Sequence, residues 1–144
     1  MVGNLFVGSL MIVLTVVTHT LGLIVITRSM ALMIGWLRLH AHNLGKIIAM
    51  VSTVLSLFFL HTVEVWIWAI GFLALGAIAS FEPALYFSTV TFSTLGYGDV
   101  TLSPQWRLFG ALEAVNGFLL IGWSTAYLVA ASTRHGPFRS GEHF

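Results

Sequence analysis

The sequence predicts an all-α membrane protein: three transmembrane helices, plus a short helix that re-enters the bilayer and leads into a glycine-bearing loop. Three observations carry this. Hydrophobic residues make up 58% of the 144 positions and charged residues only 8%, with a mean hydropathy of +0.96. A soluble domain of this length could not bury so much apolar surface. Three stretches each supply the ~20 apolar residues that a spanning helix needs. A fourth stretch, Ala84–Ser93, is too short to span and ends at Thr94-Leu95-Gly96-Tyr97-Gly98-Asp99.

The first span is read over Leu5–Thr27, within a unit covering residues 1–27. It lacks a basic start and a small-residue cleavage site, so it is expected to be retained. Gly8, Thr15 and Gly22 recur every seven residues, with His19 on nearly the same side. Small residues let helices approach closely in lipid. The hydroxyls of Thr15, Thr18 and Thr20 are expected to bond back to their own helix, and His19 to be a satisfied buried imidazole. Residues 28–45 follow as a unit of their own. Arg28, Gly35, Arg38, His42 and Lys46 fall at steps of seven, three, four and four, with Met30, Leu32, Met33, Ile34 and Trp36 between them. That pattern predicts an amphipathic helix lying in the inner interface, with a plain connecting loop as the alternative.

Residues 46–132 hold the remaining membrane elements. The second span begins near Lys46 and has no clear end before Ala79. Thirty-odd helical residues reach ~50 Å at 1.5 Å each, against ~30 Å of hydrocarbon. The helix therefore tilts and projects, or residues 71–79 form an apolar linker. Ser80, Glu82 and Pro83 suit the start of the short helix: a polar cap, an acid at the positive dipole end, and proline in the first turn. The third span is read over Gln105–Ser132. The tail, residues 133–144, contains Gly and Pro without apolar periodicity and is expected to be flexible.

Charge sets orientation and excludes some functions. The net charge of +1 excludes a nucleic-acid footprint. The absence of cysteine excludes disulfides and thiolate metal sites. Arg28, Arg38 and Lys46 lie between the first two spans, and Arg134 and Arg139 follow the third. The positive-inside rule places both segments in the cytoplasm, the N-terminus outside and the glycine-bearing loop facing outward. No span repeats Arg at every third position, so none reads as a voltage sensor.

Two pairs of polar residues lie inside the second and third spans. His61 and Glu64 lie three apart on the second, and Glu113 and Asn116 three apart on the third, so each pair shares a helix face. A charged residue at mid-bilayer costs ~2.5–3.5 kcal/mol on insertion scales, so such groups face protein or water. One reading is a proton-sensitive link between the two spans, with Glu64 or Glu113 bonded to His61 or Asn116. Another is a fixed polar clasp. A third turns Glu113 or Asn116 toward a water-filled cavity. A fourth is an intramembrane metal-dependent enzyme built on His61 and Glu64 with Glu113 and His19, because imidazole and carboxylate hold Zn²⁺ or Fe. No nucleophile or second histidine pair accompanies that set. Trp66, Trp68, Trp106, Trp123 and Tyr127 are expected as interfacial anchors, with helix-crossing packing as the alternative for Trp123.

The string Thr91-x-x-Thr94-x-Gly96-Tyr97-Gly98-Asp99 resembles the signature of bacterial potassium channels. It departs from the usual filter string only by Leu95 in place of valine. From Lys46 to Ser132 the order of elements is similar to that family's pore module: outer helix, pore helix, filter, inner helix. The first span is extra. The resemblance implies a homotetramer in a plasma membrane that conducts K⁺ and acts on no soluble substrate. Four loops would then line a tube with the carbonyls of Thr94, Leu95, Gly96, Tyr97 and Gly98, replacing the hydration shell of K⁺. It further implies that Asp99 sits at the outer mouth, that Tyr86, Phe87 and Val90 support the filter, that Gly117 is an inner-helix hinge, and that Ile121 and Thr125 face the cavity or inner mouth. Some members carry glutamate where this chain has Val90, and a hydrogen-bonding aromatic where it has Phe87. Asp99 is therefore expected to lack two partners, which implies altered slow inactivation. No cytoplasmic ligand domain is seen in these residues. A non-conducting partner subunit is the remaining alternative, and the complete filter string argues against it.

Overall fold

The computed structural model describes residues 2–37 and 43–135. They form four helices: α1 (Val2–Leu37), α2 (Asn43–Ala74), α3 (Phe81–Phe92) and α4 (Arg107–His135). No strand occurs among the described residues. α1, α2 and α4 are long and apolar enough to cross a membrane, over Val2–Met33, Leu44–Ala74 and Arg107–Thr133. The chain is an all-α, multi-pass membrane protein.

Helix α1 corrects the expected boundary at residue 28. It runs unbroken to Leu37, so residues 28–37 continue the first helix, four of them beyond the apolar stretch Val2–Met33, instead of starting a helix of their own. Nothing there interrupts it: Met30-Ala31-Leu32-Met33 are strong helix formers and no proline intervenes. Residues 38–42 lie outside the described residues. α2 already begins at Asn43, ahead of the expected Lys46. Likewise α4 continues through His135, past the expected start of the tail. Residues 136–144 lie outside the described residues.

The open end of the second span is resolved at Ala74. Gly76 takes φ +66°. The amide of Ala77 donates to Phe72 O at 2.9 Å, and that of Gly76 to Leu73 O at 3.0 Å. This paired closure is the Schellman arrangement, which needs a left-handed residue that glycine supplies without strain. Residues 75–80 then connect to α3. Ser80 is extended, with φ −137° and ψ 155°, and its side chain makes no cap bond. Its carbonyl accepts from Ala84 at 3.2 Å. Glu82 and Pro83 occupy the first turn as expected.

The chain divides into two compact units. Met1–His19 with His61–Ile121 form the first, and Thr20–Leu60 with Gly122–Phe144 the second. The core of the first is aromatic. Phe72 meets Phe87 at 5.1 Å and Phe109 at 5.0 Å, and Trp68 meets Phe109 at 5.1 Å between centroids. Such tilted and edge-on ring pairs add ~0.5–1.5 kcal/mol each beyond area burial. Trp68 is fully buried in this cluster, so it is a packing residue and not an interfacial anchor. Trp66 is exposed and stands edge-on to Phe81 at 5.6 Å. In the second unit Leu23, Ile26, Leu57 and Leu60 form the core, and Thr27 Oγ1 pairs with Tyr127 Oη at 2.9 Å.

The spacing of Gly8 and Gly22 has a packing cause within each unit. A Cβ on Gly8 would run into the Leu112 side chain, and one on Gly22 into Leu60. The Thr15 and Thr18 hydroxyls donate to carbonyls of the preceding turn, as expected. Each long helix also leaves large apolar side chains uncovered, among them Leu10, Val13, Phe58, Phe59, Phe118 and Leu119. These are surfaces for lipid or for a neighbouring chain.

Candidate functional site

The loop after α3 has an unusual backbone. Thr94 takes φ +60°, Gly96 φ +53° and Gly98 φ +78°. Leu95 and Tyr97 do not share the positive sign. The sign of φ therefore alternates along five residues. Alternation between left- and right-handed halves of the map turns successive peptide planes so that their carbonyls line one side of the strand. Glycine adopts the left-handed half freely. A β-branched residue there is an outlier, and the left-handed region costs about 1–2 kcal/mol for an L-residue. Thr94 bears that cost at the foot of the loop.

Hydrogen bonds tie the loop to the end of α3. The Thr94 amide donates to Thr91 O at 2.9 Å, and the Gly96 amide to Val90 O at 3.0 Å. Val90 thus acts on the loop through its carbonyl, with its side chain buried. Phe87 packs behind it against Phe72. Within the single chain residues 93–99 are exposed; Leu95 is 55% and Tyr97 68% exposed. An open groove of about 470 Å³ runs beside the loop, with Phe87, Val90, Gly96, Gly98 and Leu102 among its lining residues.

Asp99 has a partner that the sequence reading did not give it. Tyr86 Oη donates to Asp99 Oδ2 at 2.6 Å, and the Val100 amide donates to Oδ1 at 3.1 Å. Asp99 thus has a donor in Tyr86, one residue before Phe87. The Tyr86 hydroxyl holds the Asp99 carboxyl below its usual range, and the carboxylate in turn pushes the phenol up. Both follow from a hydrogen bond that favours the ionised acid.

The polar residues of the spans sort into three clusters; His61 and Glu64 are bonded as expected, and none of these contacts joins that pair to Glu113 or Asn116. Glu64 accepts from His61 Nδ1 at Oε2 and from His19 Nδ1 at Oε1, each at 2.8 Å. His19 and Glu64 are fully buried, and the His61 side chain is 20% exposed. Glu113 Oε1 lies 2.5 Å from Ser88 Oγ on α3, and Ser88 Oγ also donates to Val65 O at 2.9 Å. Asn116 Nδ2 donates to Thr15 Oγ1 at 2.8 Å. The link therefore joins the second span to the first, through His19, while Glu113 and Asn116 hold α4 to α3 and to α1. Glu113 and Asn116 are buried against these partners, so neither faces an open cavity in the chain.

Residues 57–134 match the model of a family described as "Ion channel", more than half of the chain. The chain belongs to this ion channel family. No curated protein and no solved structure matches it.

The channel's remaining expected residues fall on α4. Gly117 lies in an unbroken helix, and its missing side chain has a steric cause: a Cβ would lie 2.8 Å from the backbone carbon and Cα of Phe92 and nearer still to its carbonyl oxygen. The end of α3 thus rests on Gly117. Ile121 is half-buried against the aromatic core, and Thr125 is exposed. Sequence reasoning missed Ser88 and underrated His19. Ser88 carried no signal, since a serine on an apolar helix is common. His19 did, as an imidazole on the small-residue face of the channel's first helix.

Proposed function

We propose that the protein is a potassium-selective channel in which four copies each supply one loop, Thr94–Gly98, to a central filter. The observation that carries this reading is the alternation of φ at Thr94, Gly96 and Gly98. A strand of that kind presents carbonyls in a row, and four such rows replace the hydration shell of a K⁺ ion. The ion steps between sites made by the carbonyls of Thr94, Leu95, Gly96 and Tyr97, with the Thr94 hydroxyl at the inner end. Leu95 keeps the needed carbonyl because its side chain points the other way. Family membership supports ion conduction. The uncovered Leu95 and Tyr97 side chains and the groove beside them support assembly, since a neighbouring copy would cover them.

The C-terminal end of α3 directs its negative dipole at the ion below the filter. Asp99, kept ionised by Tyr86, concentrates cations at the outer mouth. Arg28 in the last part of α1, Arg38 after it and Lys46 at the start of α2, with Arg134 and Arg139 near the C-terminus, support a cytoplasmic side for that connection and for the C-terminus in a plasma membrane. Gating follows from neither a voltage sensor nor a ligand domain in these residues; the polar contacts that bind α1 and α4 to the pore elements offer one place for proton sensitivity.

The test is flux from liposomes holding the purified protein, K⁺ against Na⁺, with Ba²⁺ as blocker. K⁺-selective, Ba²⁺-blocked flux is expected, and it is lost in Gly96→Ala. A Cβ on Gly96 meets nothing within 4 Å in the chain, so that loss comes from forcing alanine into the left-handed region at about 1–2 kcal/mol per copy. Equal K⁺ and Na⁺ flux through a folded tetramer would overturn the selectivity.

A further inference from the structure

We propose that His19, His61 and Glu64 form a binding site for a divalent first-row transition ion, Zn²⁺ foremost. One ligand atom from each lies within 4.8 Å of the others. Two imidazoles and a carboxylate make a donor set of the type that holds Zn²⁺ at three protein ligands and one open position. The donor set also excludes hard ions such as Mg²⁺ and Ca²⁺, which take all-oxygen shells. Glu113, expected as a fourth member from the sequence, is engaged by Ser88 instead.

The geometry is near what an ion requires. Metal–ligand distances of about 2.0–2.2 Å place tetrahedral donors roughly 3.4 Å apart. His19 Nδ1 lies 2.8 Å from Glu64 Oε1 and His61 Nδ1 2.8 Å from Oε2, so each contact opens by about half an ångström to admit an ion. Side-chain rotation suffices for this, since all three donors sit on helices held by the aromatic core. The two imidazole rings already face each other at 5.5 Å with a 34° tilt. The partial exposure of His61 gives an ion its way in.

Burying two imidazoles and a carboxylate in a membrane protein is costly, and such groups mark functional sites by default. The site also bears on the loop. The His61 ring lies 6.0 Å from that of Phe92, the last residue of α3, so an ion held by His61 sits beside the end of the helix that leads into the loop.

Binding is tested without reference to K⁺ conduction. The full chain is purified in detergent, stripped with a chelator and titrated with Co²⁺, whose visible spectrum reports tetrahedral nitrogen–oxygen ligation. Zn²⁺ is then used as competitor, and retained Zn²⁺ is counted per chain. One ion per chain at micromolar concentration is expected. Affinity should fall at least the ~10–100-fold that loss of even an indirect partner costs in Glu64→Gln and in His61→Asn, the latter chosen because His61 is the least buried of the three. A variant with His40, His42, His135 and His143 all replaced by alanine, folded by its melting curve, should bind as the parent does. Absence of a tetrahedral Co²⁺ spectrum, affinity unchanged in Glu64→Gln and His61→Asn, or binding lost with the other four histidines would each overturn the proposal.

Discussion

Gly117→Ala sets two opposed effects against each other. Alanine favours a helix interior by ~0.8–1.0 kcal/mol over glycine. Against this, its Cβ would lie 2.8 Å from two backbone atoms of Phe92, where carbon–carbon contacts settle at about 3.5–4.0 Å. Backbone cannot rotate away as a side chain can, so the end of α3 must move by roughly 1 Å or α4 must withdraw. Overpacking costs ~1–3 kcal/mol; contact with backbone puts this site in the upper half, roughly 2–3, and less the helix gain the net is destabilising by ~1–2 kcal/mol per chain, a five- to thirty-fold shift in population. The displaced residues lead straight into Thr94. The expected result is a lower melting temperature in detergent together with at least fivefold weaker K⁺ flux. Gly122→Ala serves as the control, because a Cβ there meets nothing within 4 Å; it should melt at or above the parent. A Gly117→Ala protein that melts and conducts like the parent would refute the packing account. Unchanged melting with lost flux would point instead to a bending role for Gly117.

Two further substitutions probe the contacts around the filter. Tyr86→Phe removes the donor to Asp99. The parent carboxyl titrates below the usual range, so its charge is present above that range and is lost only as pH falls through the lowered value; in Tyr86→Phe the loss moves to higher pH. K⁺ flux measured against external pH should show an acid limb displaced upward in the variant, and superimposable limbs would sink the prediction. At Ser88 one hydroxyl proton faces two acceptors, Val65 O and Glu113 Oε1, so both contacts are hydrogen bonds when the carboxyl supplies the second proton. Glu113→Gln supplies an N–H in its place and is expected to cost under ~1 kcal/mol, whereas Ser88→Ala takes the partner from the buried Glu113 carboxyl at about 1–3 kcal/mol. Equal melting temperatures for the two would contradict this.

What was legible in the sequence was local. Apolar length gave the three spans, and the run Ser80-Phe81-Glu82-Pro83 gave the start of α3, because caps and dipoles act within a turn. The loop string carried its own backbone demands in Gly96 and Gly98. What was not legible depends on which helix lies beside which. Glu64 could be paired with His61 by spacing alone, but its second partner, His19, is forty-five residues away. Trp68 and Trp66 are indistinguishable by type, and only packing makes one a core residue. The length of α1 was hidden for a different reason: a charge such as Arg28 ends an apolar run without stopping a helix, and α1 runs on to Leu37.

The exposed loop has a consequence for how the protein must be made. Irregular backbone survives at membrane depth only where protein covers it or water lines it. In the proposed channel residues 93–99, exposed in the single chain, would gain that cover only from neighbouring copies, so the assembled protein would reach its free-energy minimum only in company. Its durability then depends on how crowded the bilayer is with its own kind. Dilution in lipid should melt it as surely as heat.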